Sequence, residues 1–170
     1  MPSIILTIVI AVVVWGYLHT KVQRRVWTIV NLVLSFSAVI IALYATVLSR
    51  TQGDYGVILT PFATFIAAKQ QPELYREMLM NVFLFLPIGL TLSNALPQKW
   101  HLWLRIGFTT FIGCVISAGI ECAQYNYALG IAEVDDVICN TLGTFIGSTS
   151  LLIACVAKAV REKIRTRTLR

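Results

Sequence analysis

A chain of 170 residues has room for one domain, and its composition excludes an ordinary soluble fold. It is 57% hydrophobic and 13% charged, with a mean hydropathy of +0.76, where a soluble domain would carry about a quarter charged residues. The net charge of +6 would suggest nucleic acid in a soluble protein. Here the basic residues gather in short loops and a tail, as membrane orientation requires, and no nucleic-acid partner is expected.

A spanning helix needs about 20 mainly apolar residues, and five segments approach that length. They are residues 2–18, 26–49, 79–96, about 102–125, and 137–160, the last carrying Lys158 in its final turn. The expected fold class is therefore all-α, a polytopic membrane helix bundle of about five transmembrane helices. It forms a single membrane domain over 1–170. Segment 2–18 has no basic residues before its apolar run and no small-residue cleavage pattern after it, so it reads as an uncleaved anchor rather than a signal peptide.

Orientation follows from lysine and arginine counts in the loops. With the N-terminus outside, the inner loops hold Lys21, Arg24, Arg25, Lys99 and Arg105, and the tail adds Lys158, Arg161, Lys163, Arg165, Arg167 and Arg170. Only Arg50, Lys69 and Arg76 are left outside, eleven against three. The expectation is N-out and C-in, with the tail 158–170 against anionic cytoplasmic headgroups.

This topology gives meaning to residues 120–140, "IECAQYNYALGIAEVDDVICN", which hold four of the eight acidic residues. All the acids except Glu162 fall on the outer side or at outer helix ends. Asn81 sits near the outer end of the third segment, Glu121 and Gln124 near that of the fourth, and Asp136 and Asn140 start the fifth. Glu121 and Gln124 are three apart and Asp136 and Asn140 four apart, so each pair shares a helix face. From Asn140 the same face continues to Gly143 and Gly147, a small-residue stripe that admits a close helix neighbour. Gly113, Ser117 and Glu121 make a matching stripe on the fourth segment, which predicts that these two segments pack together with Glu121 facing Asn140. An ionisable group inside a span is costly and marks a candidate site. Each acid singly also has a structural reading: Glu121 can snorkel to the headgroups, and Asp136 can favour the helix dipole.

The outer loop before the third segment contains "VILTPFATFIAA", apolar enough to lie on or dip into the outer interface. "PELYREM" follows and reads as a helix start with Pro72 in its first turn. Arg76 would then stand about one turn outside Asn81, as a cationic partner for the acidic cluster or for an anionic ligand group. A solvated pair with Glu73 is the alternative. The candidate ligand-binding set is thus Arg76, Asn81, Glu121, Gln124, Asp136 and Asn140. Cys114 and Cys155 read as packing residues, and Cys122 and Cys139 as two free thiols near the outer helix ends, with a disulfide between them as the alternative.

The order "LTPF" (59–62), "NVFLFLPIG" (81–89), E-x-x-Q (121–124) and "EVDDVICNTLGTFIG" (133–147) resembles the VanZ family of small bacterial membrane proteins. The resemblance covers roughly residues 55–150 and maps onto Pro61, Asn81, Pro87, Gly89, Glu121, Gln124, Asp136, Asn140, Gly143 and Gly147. Residues 1–25 then form an extra N-terminal span and inner loop. Many family members carry an arginine shortly before the acidic motif, where this chain has "ALGIAE". Glu133 stands where an aspartate is common. The resemblance implies an association with lowered susceptibility to teicoplanin, a lipid-tailed glycopeptide antibiotic.

Three mechanisms follow. A non-enzymatic envelope protein would bind or mask an outer-leaflet ligand, either the glycopeptide antibiotic or a lipid-linked cell-wall precursor, beside membrane lipids. A membrane enzyme would act on an extracytoplasmic lipid-linked or sugar substrate, with Glu121 and Asp136 sharing a proton. A scaffold would serve larger envelope machinery. No cofactor is expected and no metal site is assigned, although Glu121, Asp136 and Asn140 are oxygen ligands of the kind a hard divalent cation takes.

Overall fold

The computed structural model describes residues 2–19, 21–53 and 56–168. Its elements are α1 (Pro2–His19), α2 (Arg24–Leu43), β1 (Gly56–Ile58), α3 (Ala63–Ala67), α4 (Pro72–Ala95), α5 (Leu102–Asn126), β2 (Ile131–Glu133), α6 (Val134–Ser148) and α7 (Ser150–Thr168). A π-helical turn, Tyr44–Leu48, extends α2. The chain is an all-α polytopic membrane bundle. Four helical stretches are long and apolar enough to cross a bilayer: Arg24–Leu48, Pro72–Ala95, Leu102–Asn126 and Val134–Arg161, with Leu6–His19 a shorter apolar helix. At 1.5 Å per residue each of the four exceeds the roughly 30 Å hydrocarbon core. Of the expected tail, Leu169 and Arg170 lie outside the described residues, as does the loop acid Asp54.

The helices are built for lipid outside and close packing inside. On α2, Ile29, Val33, Phe36 and Ile40 form an exposed apolar ridge. Trp27, Asn31, Ser35, Ala38 and Ala42 form the buried stripe on the opposite face. Large apolar side chains thus face outward and small or polar ones inward, the arrangement expected where lipid is as apolar as leucine and association rests on close contact.

The most buried span is α4, and its main partner is α6. Glycine makes that contact possible. A Cβ at Gly143 would run into the Val82 carbonyl, one at Gly147 into the Leu86 carbonyl, and one at Gly89 into the Thr144 carbonyl. The backbones touch where side chains would normally keep them apart. The small-residue stripe of α6 therefore closes on α4, not on α5 as its spacing had suggested. The physical reason is that α4 supplies Gly89 opposite, whereas α5 meets α6 through side chains: Gly113 admits the Thr144 side chain, and Asn140 Nδ2 donates to Ser117 Oγ at 2.8 Å.

The predicted fifth segment is one long apolar stretch, Val134–Arg161, in two helical pieces. Thr149 separates α6 from α7. The hydroxyls of Ser148 and Thr149 donate back to the Phe145 and Ile146 carbonyls at 2.7 and 2.6 Å, a competition that bends helices. Beyond the bend α7 packs on α1, with Gly16 against the Ser150 carbonyl and Ile153. Val12, Leu86 and Leu90 cluster at that junction. Between α2, α4 and α5 the core is Ala38, Ala42, Phe85, Ile88 and Ile120.

At the other end, β1 and β2 pair in parallel, Gly56 with Ile131, Val57 with Ala132 and Ile58 with Glu133. This two-stranded clip ties the loop after α2 to the loop before α6. It delivers α3 to the N-terminus of α6.

Candidate functional site

The site grows from the junction of β2 and α6. Glu133 ends the strand, and Asp135 and Asp136 occupy the first turn of α6, where negative charge meets the positive end of the helix dipole. Consecutive positions on a helix diverge by about 100°, so the two aspartates face different neighbours. Asp135 is 1% exposed and holds the α3 loop: its carboxylate accepts the Phe62 and Thr64 backbone N–H groups at 2.6 and 2.8 Å. That clamp keeps Phe62 in the left-handed region, φ 65°, a conformation that costs a non-glycine residue roughly 1–3 kcal/mol. The Thr64 hydroxyl donates to Glu133 at 2.6 Å.

Asp136 turns toward α4, where Asn81 Nδ2 donates to its carboxylate at 2.7 Å. Between these groups lies a cavity of about 530 Å³ lined by Arg50, Thr64, Glu73, Arg76, Glu77, Met78, Met80, Asn81, Glu133 and Asp136. The α4 residues among them come from its first three turns, since α4 begins at Pro72, ahead of the apolar run. The cavity holds two guanidiniums, four carboxylates, an amide and two thioethers. Among the described residues Arg76 has no ion-pair or hydrogen-bond partner, and Arg50 donates one long hydrogen bond to the Leu129 carbonyl, at 3.5 Å, while acting electrostatically on Asp136 and Glu121. Both cations are available to a ligand. No group of three or more His, Cys, Asp and Glu residues suited to a metal ion occurs among the described residues.

Of the six candidates from the sequence, Arg76, Asn81 and Asp136 line this cavity. Glu121, Gln124 and Asn140 are buried beside it, in the packing that supports it. Glu121 accepts the Glu133 backbone N–H at 2.9 Å and so fixes β2 from the α5 side. Gln124 Nε2 donates to the Thr46 carbonyl at 3.0 Å, at the π-helical end of α2. Asn140 pairs with Ser117, one turn of α5 away from the Glu121 partner that the spacing had suggested. Thr64, Glu73, Glu77, Glu133 and Arg50 complete the polar lining of the cavity, Met78 and Met80 its apolar part, and none of them was in that set. Only the β1–β2 pairing and the loop reaching back from α2 bring Thr64 and Arg50 there, and that long-range contact has no local sequence signal. All four cysteines are free, Cys122 and Cys155 exposed, Cys114 half-buried and Cys139 buried, the last packed with Met78 and Val82.

Close-packed apolar helices with one polar cavity at a bundle end define a small polytopic membrane protein. The chain belongs to the VanZ/LLP1 family, whose profile matches residues 4–156, and it is accordingly a bacterial membrane protein. That match starts within α1 and is wider than residues 55–150. Protein VanZ of Enterococcus faecium is 37% identical over 76 residues, covering 43% of this chain. The chain spans only 42% of that relative's length in the match. No solved structure matches the chain.

Proposed function

We propose that the protein crosses the plasma membrane five times, N-out and C-in, and binds an outer-leaflet amphiphile in the cavity between α3, α4 and α6. By masking such a ligand it would lower susceptibility to teicoplanin-type lipoglycopeptides. The observation that carries this reading is the composition of the cavity: two arginines, Arg76 without a partner among the described residues and Arg50 held by one long hydrogen bond, beside four carboxylates and Asn81, at the bundle end away from the basic loops. A ligand bearing both carboxylate and amine groups meets complementary charge there. Leu59, Phe62, Phe65 and Ile66 are exposed on and beside α3, immediately next to Thr64. They give the cavity an apolar rim on which a lipid tail can remain in the membrane while its head enters. A lipid-linked cell-wall precursor has the same two-part character and is the alternative ligand.

An enzymatic reading based on Glu121 and Asp136 is less well supported. Glu121 does not line the cavity, and its carboxylate is engaged by the Glu133 backbone. The carboxylates that share the cavity with Asp136 are Glu73, Glu77 and Glu133.

The test is growth inhibition by teicoplanin and vancomycin in a susceptible Gram-positive host, with wild type, Asn81→Ala and Asp136→Asn at matched membrane levels. Teicoplanin protection by wild type that is lost in both variants is the expected outcome. Absence of protection by well-expressed wild type would refute the resistance reading.

A further inference from the structure

The end of the bundle opposite the cavity gathers positive charge around the C-terminus of α4. Arg24 Nη2 donates to the Leu96 carbonyl at 2.7 Å and its Nη1 to the Asn94 carbonyl at 3.4 Å. From α5, Arg105 Nη2 donates to the Ser93 carbonyl at 2.8 Å. His19, at the end of α1, lies 3.5 Å from Arg24 Nη1 through its Nε2, and Arg105 and Lys158 are both close enough to act electrostatically on that imidazole. Four helices thus bring three cations and a histidine to one place. Among the described residues none of the three cations has a carboxylate partner.

The helix end does not balance this charge. The carbonyls at a helix C-terminus amount to about half a negative charge, against two guanidiniums hydrogen-bonded to them and an ammonium nearby. Two buried donors add to the surplus. Arg105 is 94% buried, being 6% exposed, and its Nε has no hydrogen-bond partner; the indole N–H of Trp27, which packs edge-on against His19, has none either. A buried donor left unpaired is costly. The three cations and two unpaired donors outnumber the one unpaired acceptor there, Asn94 Oδ1, and that surplus calls for an anion.

We propose that this end of the bundle binds the phosphate of an anionic phospholipid, held by Arg24, Arg105 and Lys158. A lipid fits better than free phosphate because the cluster lies at the end of the spans, at headgroup level, flanked by apolar helix surface on which acyl chains can lie. Basic pockets between helices on the cytoplasmic side suit such headgroups. The proposal does not depend on the cavity at the other end.

Thermal unfolding of the purified full chain in dodecyl maltoside, with phosphatidylglycerol, phosphatidylcholine or inorganic phosphate added, tests it. Phosphatidylglycerol should raise the midpoint by several degrees, phosphatidylcholine and inorganic phosphate by much less. Arg24→Gln should abolish the rise, and Lys158→Gln, whose exposed side chain makes it safe for folding, should reduce it by at least half. Arg161→Gln on the same helix should leave it intact. Equal stabilisation by the two lipids, an unchanged rise in Lys158→Gln, or loss in Arg161→Gln equal to that in Lys158→Gln would overturn the site. An equal rise with inorganic phosphate would overturn the lipid as its source.

Discussion

The two ends of α4 meet charge in opposite ways. At its first turns the helix rises out of the apolar layer with Glu73, Arg76, Glu77 and Asn81, and these side chains face a cavity in which, among the described residues, Arg76 has no hydrogen-bond or ion-pair partner. At its last turn the backbone carbonyls of Ser93, Asn94 and Leu96 are closed by Arg24 and Arg105. In between, Gly89 lies against the α6 backbone. One end leaves polar groups open and the other ties them down, while the rigid middle holds the two at a fixed separation. The difference teaches that polarity in this bundle is not of one kind: at one end the side chains stand open, and at the other they fasten backbone carbonyls while keeping a donor, Arg105 Nε, to spare.

The comparison breaks most severely if the middle gives way. Gly143→Leu would drive a side chain into the Val82 carbonyl. A buried clash of this sort costs more than about 3 kcal/mol. We expect loss of monodisperse protein on size exclusion, with both ends affected together.

Next in size is the Asp135 clamp. Asp135→Ala removes the acceptor for two part-buried backbone donors, each charge-assisted bond being worth about 1.5–3 kcal/mol. Because α3 is a short outer element, the bundle should stay folded. Hydrogen exchange at the Phe62 and Thr64 amides should rise by at least tenfold while the α4 and α6 amides remain protected. Exchange rising equally throughout the bundle would mean that the clamp is part of the core rather than of the cavity wall.

The sequence made the layers of this design legible and the connections between them less so. The five apolar segments, the positive bias of one end and the helix start at Pro72 all follow from local composition. The stripe Asn140–Gly143–Gly147 was visible as a close-packing face, but periodicity cannot name the neighbour. It required Gly89 on α4, more than fifty residues away, to decide. The adjacent acids Asp135 and Asp136 are alike in sequence and differ in role, one a clamp and one a cavity group, because the helix turns between them. The strands β1 and β2 are three residues each, too short for an alternating pattern to stand out. Their pairing is what carries Thr64 to the site and leaves Arg50 beside "ALGIAE", the stretch that has no basic residue of its own.

Smaller effects sharpen the distinction between fastened and free polar groups. Gln124→Leu and Asn81→Leu remove one amide each, from the α2–α5 fastening and from the cavity. Gln124→Leu should lower the unfolding midpoint with little change in protection per folded molecule, and Asn81→Leu the reverse. The smallest effect is expected for Arg76→Gln: an exposed charge contributes about 1 kcal/mol or less, so ligand affinity should fall only about threefold to fivefold, with thermal stability unchanged. Stability and binding falling together in both amide variants would erase the distinction.

The most direct measurement is equilibrium binding of teicoplanin and vancomycin to the purified protein in phosphatidylglycerol-containing nanodiscs, for wild type and for Asn81→Ala with Arg76→Gln. The account predicts saturable teicoplanin binding, much weaker vancomycin binding, and loss of most of the teicoplanin affinity in the double variant while its unfolding midpoint stays close to wild type. No saturable binding, or binding that the double variant leaves untouched, would contradict the assignment of the cavity as the ligand site.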